Sequence, residues 1–258
     1  MPFARLAAAL RGAARRPPRV PDGLVVYAIG DVHGRDDRLR ELEGMLRADA
    51  ARRSAARRLV VMLGDYVDRG PGSRAVLDHL CAPPPPGFER ACLAGNHEQL
   101  MLAFLDDPGE AAPWLANGGA ATLASYGVAG TEALRAAPPA AVLRAREALR
   151  AALPAAHLAF LRGLGRMRRE GDYLFVHAGI RPGVAPGDQV EDDLLWIRRP
   201  FLSSNSDHGC VVVHGHSIVE EPEIHPNRIA IDTGAYASGV LTALALDGER
   251  VEFLRTAP

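Results

Sequence analysis

Short apolar runs alternate with amphipathic stretches along the first hundred residues of the chain. Leu24–Ile29 and Leu59–Leu63 are continuous and rich in branched residues, which is typical of strands buried on both faces. Between them, apolar residues recur at helical spacing from Asp36 to about Ala51, and a second helix is predicted from Ser73 to Leu80. Such alternation predicts βαβ units, which bring the carboxyl ends of parallel strands to one edge of a sheet.

The pattern changes between about residue 98 and residue 165, where Ala and Leu dominate and Pro recurs. We interpret this segment as several helices inserted between the third and fourth strands that carry polar motifs. Strand character returns at Tyr173–Val176, Val211–Val213 and Arg228–Ile231, and an alternating tail centred on Asp247-Gly248 predicts a hairpin. The order of elements therefore predicts an α/β body built on two packed sheets.

Composition and charge fit an ordinary globular protein. The 258 residues are 48% apolar and 24% charged with a net charge of −1, so neither nucleic acid nor an anionic membrane is predicted as a partner. No apolar run reaches the roughly 20 residues of a membrane span, so stable membrane insertion is not expected. Three cysteines without CxxC spacing favour a reducing compartment, and we predict a cytoplasmic protein. The oligomeric state is left open.

Residues 1–22 differ in texture from the rest of the chain. They carry several arginines and a short Leu/Ala patch that Arg11 interrupts, so a signal peptide is not predicted. Prolines and a glycine then separate this segment from the first predicted strand. We interpret residues 1–22 as a basic flexible arm, with transient contact to a membrane surface or a partner as the alternative. Residues 23–258 are predicted to form one domain.

Five short polar motifs follow predicted strands, and the first three start a little over 30 residues apart, which is the length of a βαβ unit. Each motif alone also fits a turn, a helix cap or a structural histidine. Together they supply the oxygen and imidazole donors that a two-metal hydrolytic site needs, with one carboxylate able to bridge both cations. The motifs are Gly30-Asp31-Val32-His33-Gly34, Gly64-Asp65-Tyr66-Val67-Asp68-Arg69-Gly70, Gly95-Asn96-His97-Glu98, His177-Ala178-Gly179 and His214-Gly215-His216.

In this order the motifs resemble those of the calcineurin-like metallophosphoesterases, and within them the small bacterial PPP-type serine/threonine protein phosphatases. The resemblance runs from about Leu24 to Gly234, and its most specific part is Asp68-Arg69-Gly70. It implies a four-layer α/β/β/α sandwich, the metallo-dependent phosphatase fold, with a helical insertion. It also makes residues 23–258 a catalytic domain with a dinuclear metal centre.

The resemblance implies roles at individual positions of this chain. One cation would be bound by Asp31, His33 and Asp65. The other would be bound by Asp65, Asn96, His177 and His216. His97 looks like the general acid and Asp68 like the carboxylate that orients it, because an imidazole held by a carboxylate stays protonated to higher pH. Arg69 and Arg198 look like phosphate clamps, since a guanidinium matches two phosphoryl oxygens.

Three assignments keep an alternative. Arg199 competes with Arg198 for the clamp. His214 alternates with His216 along a strand, so both are expected on the same side, and His214 is interpreted as a partner of a ligand or a buried histidine. The segment from Trp114 to Gly119 is either a rim that positions substrate or a contact between helices anchored by the indole.

The function predicted from these residues is hydrolysis of a phosphomonoester by metal-activated water, most specifically by a serine/threonine protein phosphatase. The substrate would be a phosphorylated protein or a small phosphoester. Mn²⁺ is favoured as the metal, although Fe, Zn or Mg would also coordinate. The alternative is a symmetrical dinucleoside tetraphosphate hydrolase, against which Asp68 and Glu98 argue. A non-catalytic scaffold would have no need of His97, Asp68 and both arginines.

Overall fold

The computed structural model describes residues 16–258, and for Glu132 the backbone alone. Most of the predicted arm at residues 1–22 lies outside this range, so the division into arm and domain stays a prediction. Within the described range, the segment before the first strand already contacts the body. The carbonyl oxygen of Arg19 accepts a hydrogen bond of 3.0 Å from the backbone of Asp172, and Val20 is buried between the sheets.

Strands and helices alternate from the first strand to the third helix, as the sequence predicts, whereas Met167–Glu170 and Glu223–Ile224 are strands that the sequence pattern did not predict. The strands are β1 (Leu24–Ile29), β2 (Arg57–Met62), β3 (Glu89–Cys92), β4 (Met167–Glu170), β5 (Tyr173–Val176), β6 (Val211–His214), β7 (Glu223–Ile224), β8 (Arg228–Ala230), β9 (Thr242–Asp247) and β10 (Arg250–Arg255). The helices are α1 (Asp36–Ala50), α2 (Ser73–Cys81), α3 (Asn96–Asp106), α4 (Ala111–Ala116), α5 (Gly119–Ser125), α6 (Pro139–Ala152), α7 (Ala155–Arg162), α8 (Glu191–Trp196) and α9 (Ala235–Ser238).

Two mixed sheets carry the fold. In the first sheet the spatial order is β10-β9-β1-β2-β3, with β1, β2 and β3 parallel and β9 and β10 forming the predicted hairpin. In the second the order is β4-β5-β6-β8-β7, with β5, β6 and β8 parallel and an antiparallel strand at each edge. Each sheet thus has three adjacent parallel strands whose carboxyl ends can share one edge.

The side-chain alternation of the strands explains the four layers. In β1, Val26 and Ala28 pack against the second sheet, whereas Tyr27 and Ile29 point to the helices on the opposite face. The outer face of the second sheet packs against Phe201 and the residues of α8. The order of layers is therefore helices, sheet, sheet and helix, which confirms the predicted α/β/β/α sandwich.

The helical insertion lies between β3 and β4, where the sequence pattern predicts it. It begins at Asn96, directly after the third motif glycine, and its last helix ends at Arg162. None of the helices described in residues 16–258 combines the length and apolar character that crossing a membrane would require.

Candidate metal centre

The loops that follow the parallel strands hold their backbone in an unusual conformation. Within residues 16–258, the non-glycine residues with positive φ are His33, Asp65, Asp68, Arg69 and His216, with φ between 43° and 74°. This left-handed region is unfavourable for side chains other than glycine, and it persists where surrounding contacts hold it. All five belong to the polar motifs, so the strain is concentrated at the candidate site.

Asp65 lies at the centre of the cluster. Its Oδ2 is 3.4 Å from His33 Nε2, and its Oδ1 is 3.4 Å from His177 Nε2. Two groups of possible donor atoms, each spanning less than 4.8 Å, share this carboxylate. They are His33, Asp65 and His97, and Asp65, His177 and His216. Asp65 is therefore the carboxylate common to both groups.

The ring nitrogens of two histidines are oriented by backbone carbonyls. His33 Nδ1 is 2.8 Å from the carbonyl oxygen of Val67, and His177 Nδ1 is 3.0 Å from that of Leu63. A carbonyl only accepts, so Nδ1 carries the proton and Nε2 presents a lone pair to the site. Burial lowers the pKa of His33 to about 3 and the pKa of His177 below its ordinary value, which keeps both rings neutral at pH 7.

The donors on the Asn96 side face one another without protons between them. His177 Nε2 is 3.0 Å from Asn96 Oδ1, although both atoms are acceptors. His216 Nε2 is buried and has no hydrogen-bond partner, and burial lowers the pKa of this imidazole to about 3. Buried acceptors that lack donors are unfavourable unless a cation satisfies them. These residues therefore fit a divalent cation bound through oxygen and imidazole nitrogen.

Asp31 and Asn96 both lie at the cluster, but Asp31 is not part of the compact donor group that contains His33 and Asp65. Its carboxylate accepts a bond of 3.1 Å from the backbone N–H of His216. His97, not Asp31, falls into the compact group with His33. Burial raises the pKa of Asp31 well above its usual range, and the negative charges of Asp232 and Asp65 raise it further. A cation beside Asp31 would relieve this repulsion.

His97 and Asp68 form a buried pair. His97 Nδ1 is 2.7 Å from Asp68 Oδ2, so the imidazole donates to the carboxylate. Burial lowers the pKa of His97, but the charges of Asp65 and Asp68 raise it by more, so its net pKa is above the ordinary value. Asp68 is itself fixed, because it accepts from the indole N–H of Trp114 at 3.0 Å and from the hydroxyl of Thr122 at 2.6 Å.

The segment from Trp114 to Gly119 contains a contact between helices that the indole anchors. Trp114 is fully buried and stacks on Phe104 with ring centroids 4.7 Å apart. Gly118 has φ of 102°, and its carbonyl oxygen accepts from the backbone N–H of Arg69 at 3.3 Å. A Cβ at Gly118 would lie only 3.0 Å from the backbone nitrogen of Arg69, and the positive φ disfavours a side chain there as well. Residues of the insertion therefore hold both Asp68 and Arg69 in position.

Both predicted clamp arginines reach the cluster. The guanidinium of Arg69 lies 3.0 Å from His33 Nε2 and 3.0 Å from His97 Nε2, under the ring of Tyr236 at 4.9 Å. Arg198 donates to the carbonyl oxygen of His216 at 3.3 Å. Arg198 and Arg199 are both exposed, but of the two the hydrogen bond to the cluster is made by Arg198. The geometry thus favours Arg198 over its neighbour.

His214 does not share the side of His216, which corrects the sequence expectation. His216 follows Gly215 with φ of 62°, so the strand alternation is broken between the two histidines. His214 instead packs edge-on against Phe201, at 5.1 Å between ring centroids, on the α8 side of the sheet. It is a buried histidine beside the ligands, and burial lowers its pKa to about 4.

Two buried carboxylates at the cluster had no assigned role in the sequence interpretation. Glu98 accepts from the backbone N–H groups of Gly95, Asp65, Tyr66 and Val67 at 2.7–3.3 Å, and so ties the second and third motifs together. Asp232 follows the run Arg228–Ile231, and its charge acts on Asp31. The signal for Asp232 is a carboxylate placed directly after an apolar strand, as Asp31 is.

The protein is an α/β sandwich. Oxygen and imidazole donors of the kind that bind metal ions lie buried at the ends of its parallel strands. The family model for Calcineurin-like phosphoesterase matches residues 24–240, so the chain belongs to that family. The family implies a hydrolytic enzyme acting on phosphoesters, and its members generally bind two divalent metals. Among curated proteins, none matches this sequence significantly.

Solved structures at low sequence identity share the fold. One is a candidate diadenosine tetraphosphatase, with a TM-score of 0.59 at 19% identity, covering 94% of this chain and 99% of that chain. Another is a cold-active protein-tyrosine phosphatase of a psychrophilic Shewanella species, with a TM-score of 0.59 at 19% identity and coverages of 92% and 82%. A third is a serine/threonine phosphatase of Saccharomyces cerevisiae with similarity to human phosphatase PP5, with a TM-score of 0.51 at 13% identity and coverages of 99% and 87%.

Proposed function

We propose that this protein is a metal-dependent serine/threonine protein phosphatase. The observation that carries the proposal is the buried pair of His97 and Asp68, with 2.7 Å between Nδ1 and Oδ2. Hydrolysis of phosphoserine expels an alkoxide, which is a strong base and leaves readily only when an acid protonates it. A buried imidazole whose pKa is raised by carboxylates is suited to that task, because it keeps a proton near neutral pH.

The other residues take roles around the phosphoryl group. Nε2 of His97 donates the proton to the leaving oxygen, while Asp68 fixes the ring through Nδ1. Arg69 and Arg198 bind the phosphoryl oxygens, which requires Arg69 to turn from the imidazoles toward substrate. When bound, two divalent cations activate a water and attract the phosphoryl oxygens. The residues that would hold them are Asp31, His33, Asp65, Asn96, His177 and His216.

Neutral imidazoles and hard oxygens without thiolate favour Mn²⁺ among the divalent metals, and Fe, Zn or Mg remain compatible with the same donors. Cys81, Cys92 and Cys210 are free thiols, which supports a reducing, cytoplasmic location.

A dinucleoside tetraphosphate is the second candidate substrate, and exposed aromatic rings beside the cluster favour it. Trp196 is 37% exposed, with its ring centroid 6.2 Å from that of His216. The partly exposed ring of Tyr236 covers Arg69 from another direction. Flat rings next to phosphate-binding groups can stack on adenine. A nucleotide phosphate is a weakly basic leaving group, however, and would need little from His97.

Metal-reconstituted protein tested in parallel on a phosphoserine peptide, a phosphotyrosine peptide and diadenosine tetraphosphate distinguishes these substrates. We expect the highest kcat/KM with the phosphoserine peptide. Dominant turnover of diadenosine tetraphosphate would overturn the protein-phosphatase assignment and leave the metal chemistry intact. Dominant turnover of phosphotyrosine would overturn the serine/threonine preference.

Gly215→Ala is expected to weaken Mn²⁺ binding without unfolding the protein. A methyl group at this position would lie 2.1 Å from Asp31 Oδ1, and so would push the carboxylate away from the cation. Loss of a supporting contact at a metal site typically lowers affinity about 10–100-fold, and titration calorimetry with Mn²⁺ measures it. Gly187→Ala is the matched control, because its added methyl group meets no atom within 4 Å. Equal Mn²⁺ affinities of the two variants would contradict the role of Asp31.

A further inference from the structure

Asp232 is a buried carboxylate with one oxygen bound and the other free. It is 1% exposed and follows β8 by two residues, as Asp31 follows β1. Oδ1 accepts a bond of 2.9 Å from the backbone N–H of Gly234, whereas Oδ2 is buried and has no hydrogen-bond partner. The turn formed by the bond to Gly234 accounts for Oδ1. It does not account for the burial of Oδ2.

Asp232 lies at the edge of the metal centre. Its backbone lies against the residue that follows β1, since a Cβ built on Gly30 would be 2.7 Å from the Ile231 carbonyl oxygen and 3.6 Å from Asp232 Cα. Asp31 is the next residue along the chain, and the negative charge of Asp232 acts on its carboxyl group. Both carboxyl groups are buried. Two buried carboxylates that repel each other need a cation or a proton to be stable.

We propose that Asp232 is a further carboxylate of the metal centre, acting through Oδ2 on the cation at Asp31 and His33, directly or through one water. The three carboxylates Asp31, Asp65 and Asp232 then carry less negative charge than two divalent cations carry positive charge. The surplus positive charge suits an anionic phosphoryl group. The inference rests on the proposed ligand set but concerns the cation alone, so it holds or fails independently of the substrate.

Asp232→Asn separates the cation role from the turn. The asparagine Oδ1 can still accept from the Gly234 N–H, while its amide nitrogen replaces Oδ2 with a neutral donor that cannot bind a cation. We expect a loss of about 10–100-fold in Mn²⁺ affinity at one of two sites, measured by titration calorimetry and by metal content after dialysis. The second site, formed by Asp65, Asn96, His177 and His216, should keep its affinity.

Asp107→Asn is the matched control. Asp107 Oδ1 accepts a hydrogen bond of 2.8 Å from the backbone N–H of Gly109, two residues later, as Asp232 does from Gly234. This turn follows the C-terminal end of α3. Ten residues of helix separate it from Asn96 by about 15 Å. The control should bind two Mn²⁺ ions with the affinity of the parent protein.

Asp232→Ser provides a second neutral variant, whose hydroxyl can also accept from the Gly234 N–H. Loss of Mn²⁺ affinity at one site in both folded variants, with Asp107→Asn unaffected, supports the proposal. It is overturned if a folded neutral variant binds two Mn²⁺ ions as the parent does, or if the control loses affinity equally. It is also overturned if neither neutral variant folds, because the carboxylate would then serve the fold and not the cation.

Discussion

Asp65→Asn is expected to lower Mn²⁺ affinity at both cation positions and to abolish most phosphatase turnover. Asp65 is the carboxylate common to both donor groups, with His33 on Oδ2 and His177 on Oδ1, each at 3.4 Å. Asparagine offers one oxygen and no charge, so it cannot bridge two cations. Loss of a shared ligand should exceed the roughly 100-fold effect that loss of an outer partner of a metal ligand produces. Metal content and titration calorimetry measure the first effect, and phosphoserine hydrolysis the second.

The variant is chosen so that the backbone is unaffected. Asp65 has φ of 52°, a conformation that asparagine tolerates as well as aspartate does. The Asn Oδ1 can also still accept from the backbone N–H of His97, as Asp65 Oδ1 does at 3.1 Å. Asp192→Asn, at an exposed position of α8, controls for loss of a carboxylate elsewhere. Two Mn²⁺ ions bound tightly by Asp65→Asn would remove the central carboxylate from the proposed centre.

His97→Asn should retain both Mn²⁺ ions and lose turnover according to the basicity of the leaving group. With phosphoserine, loss of a positioned general acid is expected to lower kcat by about 10²–10⁴-fold. With p-nitrophenyl phosphate the fall should be much smaller, because nitrophenolate leaves without protonation. The measurement is the ratio of kcat for the two substrates in variant and parent, together with metal content.

Another buried histidine provides the control for this experiment. His157 bonds to Tyr126 at 2.7 Å and to Asp78 at 3.0 Å, in the helical layer away from the cluster. His157→Asn should leave the ratio of the two kcat values unchanged. If His97→Asn lowers kcat by the same factor for both substrates, the imidazole acts on binding or metal retention. Its proposed role as the general acid would then be wrong.

The fold could be predicted because its determinants are local. Continuous apolar runs gave β1 and β2, Asp247-Gly248 gave the hairpin, and the spacing of Asp31, Asp65 and Asn96 gave parallel strands with a common edge. The insertion, predicted from about residue 98, begins two residues earlier in the structure. The chain passes from β3, ending at Cys92, into a helix that starts at Asn96 itself, because Glu98 caps its first turn.

The ligand candidates were visible in the sequence, whereas the groups that hold them in position were not. Trp114 and Thr122 meet Asp68 from about fifty residues away, and no local pattern encodes such a contact. The orientation of His214 was also predicted wrongly, because the positive φ at His216 interrupts the side-chain alternation of the strand. Asp232 was detectable in principle from its place after an apolar strand, but no histidine, asparagine or arginine accompanies it as in the other motifs.

Trp114 and Thr122, which hold Asp68, belong to the helical insertion and not to either sheet, so the proposed proton donor His97 depends on this helical layer. Partial unfolding of the insertion would free the carboxylate of Asp68 and let the imidazole of His97 rotate, while β1 to β10 stayed paired. Heat or mild denaturant would therefore silence the enzyme before circular dichroism registered any loss of strands. The helices between β3 and β4 would then be the part of the protein whose unfolding first stops turnover.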